Sequence, residues 1–273
     1  MNDDQRDLVG GVFDRVADTY DAVGVDFFQP IANGLIAELA PAPGERCLDV
    51  GCGRGAVLFP LAQAVGSTGS VVGIDLSPNM VAATAADAVG TAIEVRVGDA
   101  QQPEVADASF DVVASSLVLF FLPDPVAALR AWRAALMPAG RVGVSTFGDY
   151  SPGWREVDAV FAPYLPQQMA DPRTQGTESP FASDVGVERL LAAAGFTDTR
   201  TSTITVEVRF DDEQHWYRWT WSQGQRRMWE AVPDGERDAV RATAEERLQQ
   251  MRQPDGRFGF DQIARFTLGR NPG

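Results

Sequence analysis

The sequence predicts an α/β protein built on a doubly wound, mostly parallel seven-stranded sheet with helical lid insertions. Three observations carry that expectation. Five short apolar runs, at 46–50, 71–74, 93–97, 110–114 and 141–145, alternate with helical stretches near 56–65, 78–89 and 124–137. The first run leads straight into a glycine-rich turn, Gly51-Cys52-Gly53-Arg54-Gly55, that opens a helix. Two further strand candidates, 203–210 and 263–268, arrive only after long interruptions. Alternating β and α units bury both faces of a parallel sheet.

Taken in order, residues 1–40 read as a helical segment, with Phe13, Val16, Ala17 and Tyr20 at helical spacing. The core runs over 41–149. Its helix starts are marked by Ser77-Pro78 and Asp124-Pro125, each a capping side chain before a proline suited to the first helical position. The helix from Pro125 places Val126, Leu129, Trp132 and Leu136 on one side, and Pro138 with Gly140 stops it. Residues 150–184, rich in proline, glycine and aromatics, read as a first lid insertion. The core continues over 185–210, where Ile204, Val206, Val208 and Phe210 alternate with polar residues as in a half-buried, antiparallel strand. Residues 211–256 form a second, helical lid insertion, and 257–273 hold the last strand and tail, which close the sheet.

Composition narrows the function. The formal net charge is −15, and all 23 cationic residues are arginine, which disfavours nucleic acid as a partner. The longest apolar run, 112–122, has 11 residues, short of the roughly 20 a membrane helix needs. The N-terminal stretch is acidic and polar, so a cytoplasmic protein is expected. Cys47 and Cys52 flank one strand and match neither a disulfide framework nor a zinc pattern; dispersed carboxylates suggest no metal. Self-association into a homo-oligomer stays open.

Leu48-Asp49-Val50-Gly51-Cys52-Gly53-Arg54-Gly55 is the decisive segment. Its glycines let a ligand approach the backbone, yet Gly51, Gly53 and Ala56 also satisfy a dinucleotide fingerprint. Asp49 argues against that, because its carboxylate would lie close to a pyrophosphate. S-adenosylmethionine carries no phosphate but a sulfonium and an ammonium, which suit Asp49, Asp75 and Asp99. Asp75 ends the second strand, where an acidic side chain can hold both ribose hydroxyls.

Four pieces in order, FDRVADTYD, LDVGCGRG, GIDLSPNM with VGDAQQ, and FDVVASSLVLFFLPD, resemble the class I S-adenosylmethionine-dependent methyltransferases over residues 9–147. The similarity is to the small-molecule branch that includes the quinone C-methyltransferases. It implies a Rossmann-like fold in which Gly51 and Gly53 pass beneath the cofactor and Asp75 holds its ribose. Leu76 and Met80 would flank adenine, Asp99 and Ala100 would meet its amino edge, and Ser115 or Ser116 would lie near the methionine moiety. Tyr20 would close over the methionine carboxylate. Phe120-Phe121 stands where a polar or histidine-containing pair is common, so that loop is expected to form an apolar wall rather than to catalyse.

The expected activity is methyl transfer to an oxygen, nitrogen or carbon of a small, fairly apolar metabolite, releasing S-adenosylhomocysteine. Phe120, Trp216 and Trp219 are candidate substrate contacts, although the tryptophan spacing equally suits lid packing. His215, the only histidine, is the one candidate base, set against a solvated position beside Asp211-Asp212-Glu213. Two alternatives share the fold: an enzyme catalysing a non-methylating reaction such as cyclisation, and a non-catalytic cofactor-binding protein.

Overall fold

The computed structural model describes residues 3–165 and 179–273. Helices α1 (Asp3–Val16) and α2 (Phe28–Leu39) precede β1 (Arg46–Val50), α3 (Leu58–Val65), β2 (Ser70–Asp75), α4 (Pro78–Asp87) and β3 (Ile93–Val97). There follow β4 (Phe110–Ser116), α5 (Pro125–Ala135), β5 (Leu136–Tyr150), α6 (Pro152–Asp158), α7 (Asp184–Ala193) and β6 (Thr197–Phe210). The chain ends with α8 (Glu213–Trp221), α9 (Arg226–Ala231), α10 (Arg237–Leu248) and β7 (Phe258–Arg270).

The strands form one sheet in the order β3-β2-β1-β4-β5-β7-β6. Strands β1 to β5 pair in parallel, and β7 pairs antiparallel with both β5 and β6. The alternation at 203–210 therefore marks antiparallel pairing as expected, but the strand that reverses direction is β7. That last strand does not close an edge. It slots between β5 and β6, and β6 takes the edge. The expected strand at 141–145 also proves much longer, because α5 ends at Ala135 and the chain enters β5 at Leu136, so that Pro138 and Gly140 lie within the strand.

Successive residues of each strand serve opposite faces. Cys47, Val71 and Val112 face α2 and α3 through Leu35, Leu39, Leu58 and Leu61. Leu48, Val113 and Val142 face α5 and α7 through Leu129, Trp132, Val187 and Leu191. The caps read from sequence are in place: Met80 N donates to Ser77 Oγ at 3.1 Å and Ala127 N to Asp124 Oδ1 at 2.9 Å. Because the chain winds from β1 out to β3 and then returns to β4, the carboxyl ends of β1 and β4 flank the crevice where such sheets bind ligands.

The segments expected as lid insertions pack together on the far ends of β6 and β7. Trp154 of α6 stacks on Phe260 of β7 at 4.0 Å between ring centres, and lies 6.0 Å edge-on from Trp219 of α8. Residues 166–178 of the first insertion lie outside the described residues. Arg265 of β7 fastens this end to the core. It is 7% exposed and donates to Asp184 Oδ1 (2.5 Å) and to the carbonyls of Phe147 (2.6 Å) and Phe181 (3.0 Å). Truncating it removes a donor from the Phe147 and Phe181 carbonyls and the charge partner of Asp184, so Arg265→Ala should lose about 3 kcal/mol in urea denaturation.

Candidate active site

At the end of β1 the amides of Gly51 and Cys52 both donate to Ile74 O (2.8 and 2.9 Å), which bends the chain into a tight turn. Gly51 has φ 75°, and a Cβ there would sit 2.3 Å from Val118 Cγ2. Gly53, at φ 49°, has nothing within 4 Å of that position, so its bare backbone faces open cleft. Asp75, at the end of β2, accepts from Gly53 N at 2.8 Å and Ser77 N at 2.9 Å. Each of its oxygens keeps a lone pair for a further donor.

One cleft brings together Tyr20, Gly51, Gly53, Asp75, Leu76, Met80, Asp99, Ala100 and Ser116. Trp132, buried in the sheet face, anchors the Ala100 side by donating from Nε1 to Ala100 O at 2.8 Å. The cleft also takes Phe121, expected as part of an apolar wall, and Phe13, Gly98, Leu117, Val118 and Leu122, which the sequence reading did not assign. Phe13 stood inside a motif, and its aromatic character was the available signal. Leu117 adopts a left-handed backbone, φ 59°, immediately after β4; its amide donates to both the carbonyl and Oγ of Ser145 at 3.1 Å. A non-glycine residue in that region costs roughly 1–2 kcal/mol, and this one forms part of the cleft wall.

Other expected site residues lie elsewhere. Ser115 is buried and donates to Val50 O at 2.8 Å, because the strand alternation turns it away while Ser116 faces the cleft. Asp49 lies beneath the glycine turn, 1% exposed, and neither carboxylate oxygen has a hydrogen-bond partner among the described residues. Trp216 is wholly buried against Trp229 at 6.0 Å, a packing contact between α8 and α9. Trp219 is buried edge-on to Phe27 at 5.5 Å. His215 is neither solvated nor placed to act as a base. Its Nε2 donates to Val23 O at 2.8 Å, and Nδ1 meets the amide (3.2 Å) and carboxylate (3.5 Å) of Asp211. Both ring nitrogens are thus engaged away from the cleft.

Seven aromatic rings form a contact circuit that closes on itself; Phe13, Tyr20 and Phe121 of the circuit line the cleft, and Phe120 packs behind them against Phe121. It runs Tyr20–Phe28 (4.6 Å), Phe28–Phe27 (4.9 Å), Phe27–Phe147 (6.0 Å), Phe147–Phe120 (5.4 Å), Phe120–Phe121 (4.7 Å), Phe121–Phe13 (5.7 Å) and Phe13–Tyr20 (6.2 Å). Only Tyr20 among them carries a polar atom. Burial, then the charges of Asp21 and Asp75, push the Tyr20 hydroxyl upward, so it stays a hydrogen-bond donor.

The electrostatics suit a cationic ligand. Burial first, and Asp75 second, push the Asp49 carboxyl up to about 8. Burial likewise raises Asp75, against the hydrogen bonds from Ser77 and Gly53. A positive group arriving above the glycine turn offsets what burial costs these carboxylates. An orphaned buried acid, a bare glycine backbone and a doubly bonded acid at the end of β2 together fit S-adenosylmethionine and suit a pyrophosphate poorly.

Comparison with known proteins agrees. A family model described as a methyltransferase domain matches residues 48–144. The chain is 41% identical over 245 residues to a nocamycin O-methyltransferase of Saccharothrix syringae, covering 85% of this chain and 87% of that one. It is 38% identical over 162 residues to an aklanonic acid methyltransferase of Streptomyces sp. (strain C5), covering 58% and 74%. In fold it is similar to Haemonchus contortus phosphoethanolamine N-methyltransferase 2 in complex with S-adenosyl-L-methionine. That match has a TM-score of 0.54 at 18% identity and covers 89% of this chain and 52% of that one. The YcgJ protein of Bacillus subtilis matches with a TM-score of 0.56 at 16% identity, over 89% and 98%.

Because Asp49 is held above its ordinary 3.8, the folded chain keeps a proton there that the unfolded chain releases. That contribution to stability is complete below about pH 4 and is lost as pH rises towards about 8. Thermal melts without added cofactor should therefore show the wild type weakening as pH rises from about 4 towards 8, and Asp49→Asn weakening less over the same range.

Proposed function

Since the chain belongs to the S-adenosylmethionine-dependent methyltransferases of the small-molecule type, we propose that it methylates an acidic oxygen, such as a carboxylate, of a largely apolar metabolite. The single observation that carries this reading is the aromatic circuit beside a cleft whose titratable lining, among the described residues, is Tyr20, Asp75 and Asp99. When bound, the cofactor supplies a methyl group already activated by its sulfonium, and S-adenosylhomocysteine is the product.

In this reading Asp75 takes the ribose hydroxyls with its remaining lone pairs, and Asp49 balances the ammonium from below the glycine turn. Leu76 and Met80 hold adenine, with Asp99 and Ala100 at its edge. Ser116 and Tyr20 serve the methionine end, and Leu117 and Val118 complete the wall there. The phenylalanines of the circuit hold a planar acceptor and exclude water around the transferring methyl group. Reaction of an anionic oxygen with a cationic methyl donor neutralises charge, and a dry, apolar wall favours that step.

No base is required when the nucleophile arrives ionised, which agrees with the engaged nitrogens of His215. The names of the two relatives, one an O-methyltransferase and one acting on an acid, support the same acceptor chemistry. The acidic net charge supports a small-molecule partner over nucleic acid, and a cytoplasmic setting remains part of the proposal. No helix among the described residues is long and apolar enough to cross a membrane.

Two measurements test this. In calorimetric titration, S-adenosylmethionine and S-adenosylhomocysteine should bind, and Asp75→Ala should weaken both by roughly tenfold or more. In transfer assays, carboxylic acids bearing aromatic rings should accept labelled methyl with kcat/KM flat between about pH 6 and 9. Phe120→Ala should raise the acceptor KM about fivefold and leave cofactor affinity unchanged. Turnover confined to amines, or a rate that climbs with the titration of one enzyme group, would sink the acceptor assignment.

A further inference from the structure

Helix α1 lies between two bodies, and adjacent residues grip each of them. On the core side, Asp14 accepts from Ser77 Oγ (2.8 Å), Asn79 N (2.9 Å) and Asn79 Nδ2 (2.9 Å) at the start of α4. On the other side, Arg15 makes a two-pronged ion pair with Glu230 of α9, Nε to Oε1 at 3.0 Å and Nη2 to Oε2 at 2.5 Å. Glu230 is held in turn by Arg226 Nε at 2.8 Å. Burial works against its charge, but Arg15 and Arg226 outweigh it and keep the carboxyl below its usual range.

The same inserted segment reaches the N-terminal stretch at three more points. The Phe13 ring lies against Gly224, 3.7 Å from where a Cβ would stand. His215 Nε2 bonds Val23 O at 2.8 Å, and Trp219 meets Phe27 edge-on at 5.5 Å. Phe13 is thus itself a point of contact and Tyr20 lies between Arg15 and Val23; among the described residues these are the two by which the N-terminal segment walls the cleft.

We infer that Glu230, through Arg15, is a positioning residue for methyl transfer: the second insertion sets the place of Tyr20 and Phe13 over the cofactor from outside the cleft. The inference rests on the cleft being the cofactor site. It makes cofactor and acceptor affinities reciprocal, because one rigid helix belongs to both walls.

The test is calorimetric titration of S-adenosylhomocysteine into wild type, Arg15→Ala, Glu230→Ala and the double variant, with thermal melts alongside. Each single variant should bind about three- to tenfold more weakly, and the double variant no more weakly than the poorer single, since one contact is lost in all three. Glu230→Gln, which keeps a hydrogen bond without the charge, should fall between wild type and Glu230→Ala. Should Glu230→Ala fail to fold, Arg15→Ala breaks the same contact from the other helix. A lowered melting temperature with unchanged affinity, or strictly additive losses, would overturn the inference. Failure of the wild type to bind S-adenosylhomocysteine would instead overturn the cofactor assignment.

Discussion

Much of the molecule hangs on one carboxylate. Asp75 accepts the Gly53 and Ser77 amides together, so a single side chain holds the glycine turn in its open form and starts α4 at the right height. From that fixed start, Ser77 and Asn79 present donors to Asp14, which seats α1. Seating α1 in turn places Phe13 and Tyr20. The cleft is therefore a chain of hydrogen bonds that begins in the sheet and ends in its cover, with each link setting the geometry of the next.

The two halves of the cleft follow different physics. One part holds the Gly53 backbone and Asp75, with Asp49 buried nearby, carboxylates whose burial disfavours their charge. Another part holds the rings of Phe13, Tyr20 and Phe121. The left-handed backbone at Leu117, braced by Ser145, sits at the join between these environments and turns the chain from the last parallel-strand residue into the aromatic wall.

The cofactor side was legible because it is local. A strand, a glycine-rich turn and a helix follow one another between Arg46 and Val65, although the bond by which Asp75 holds Gly53 joins positions 22 apart. Ser115 and Ser116 could not be separated by motif, because their difference is one of strand parity, which only pairing with β1 and β5 decides. The place of β7 was hidden for a similar reason: a terminal run of alternating residues fits an edge or an interior slot, and two-sided burial reveals the slot. The aromatic circuit draws on residues 13, 20, 27, 28, 120, 121 and 147, a grouping that no periodicity announces. His215 looked solvated from its acidic neighbours, yet Asp212 caps α8 and rolls the imidazole inward towards Val23.

The ion pair between α1 and α9 has a bearing on how such proteins can be recombined. Swapping residues 211–256 between relatives resembles exchanging a self-contained cassette. Here the cassette's fastening point is encoded some two hundred positions upstream, at Arg15. A chimera that imports the inserted helices without the matching first helix inherits a mismatched hinge, so productive crossovers must carry both ends of the chain together.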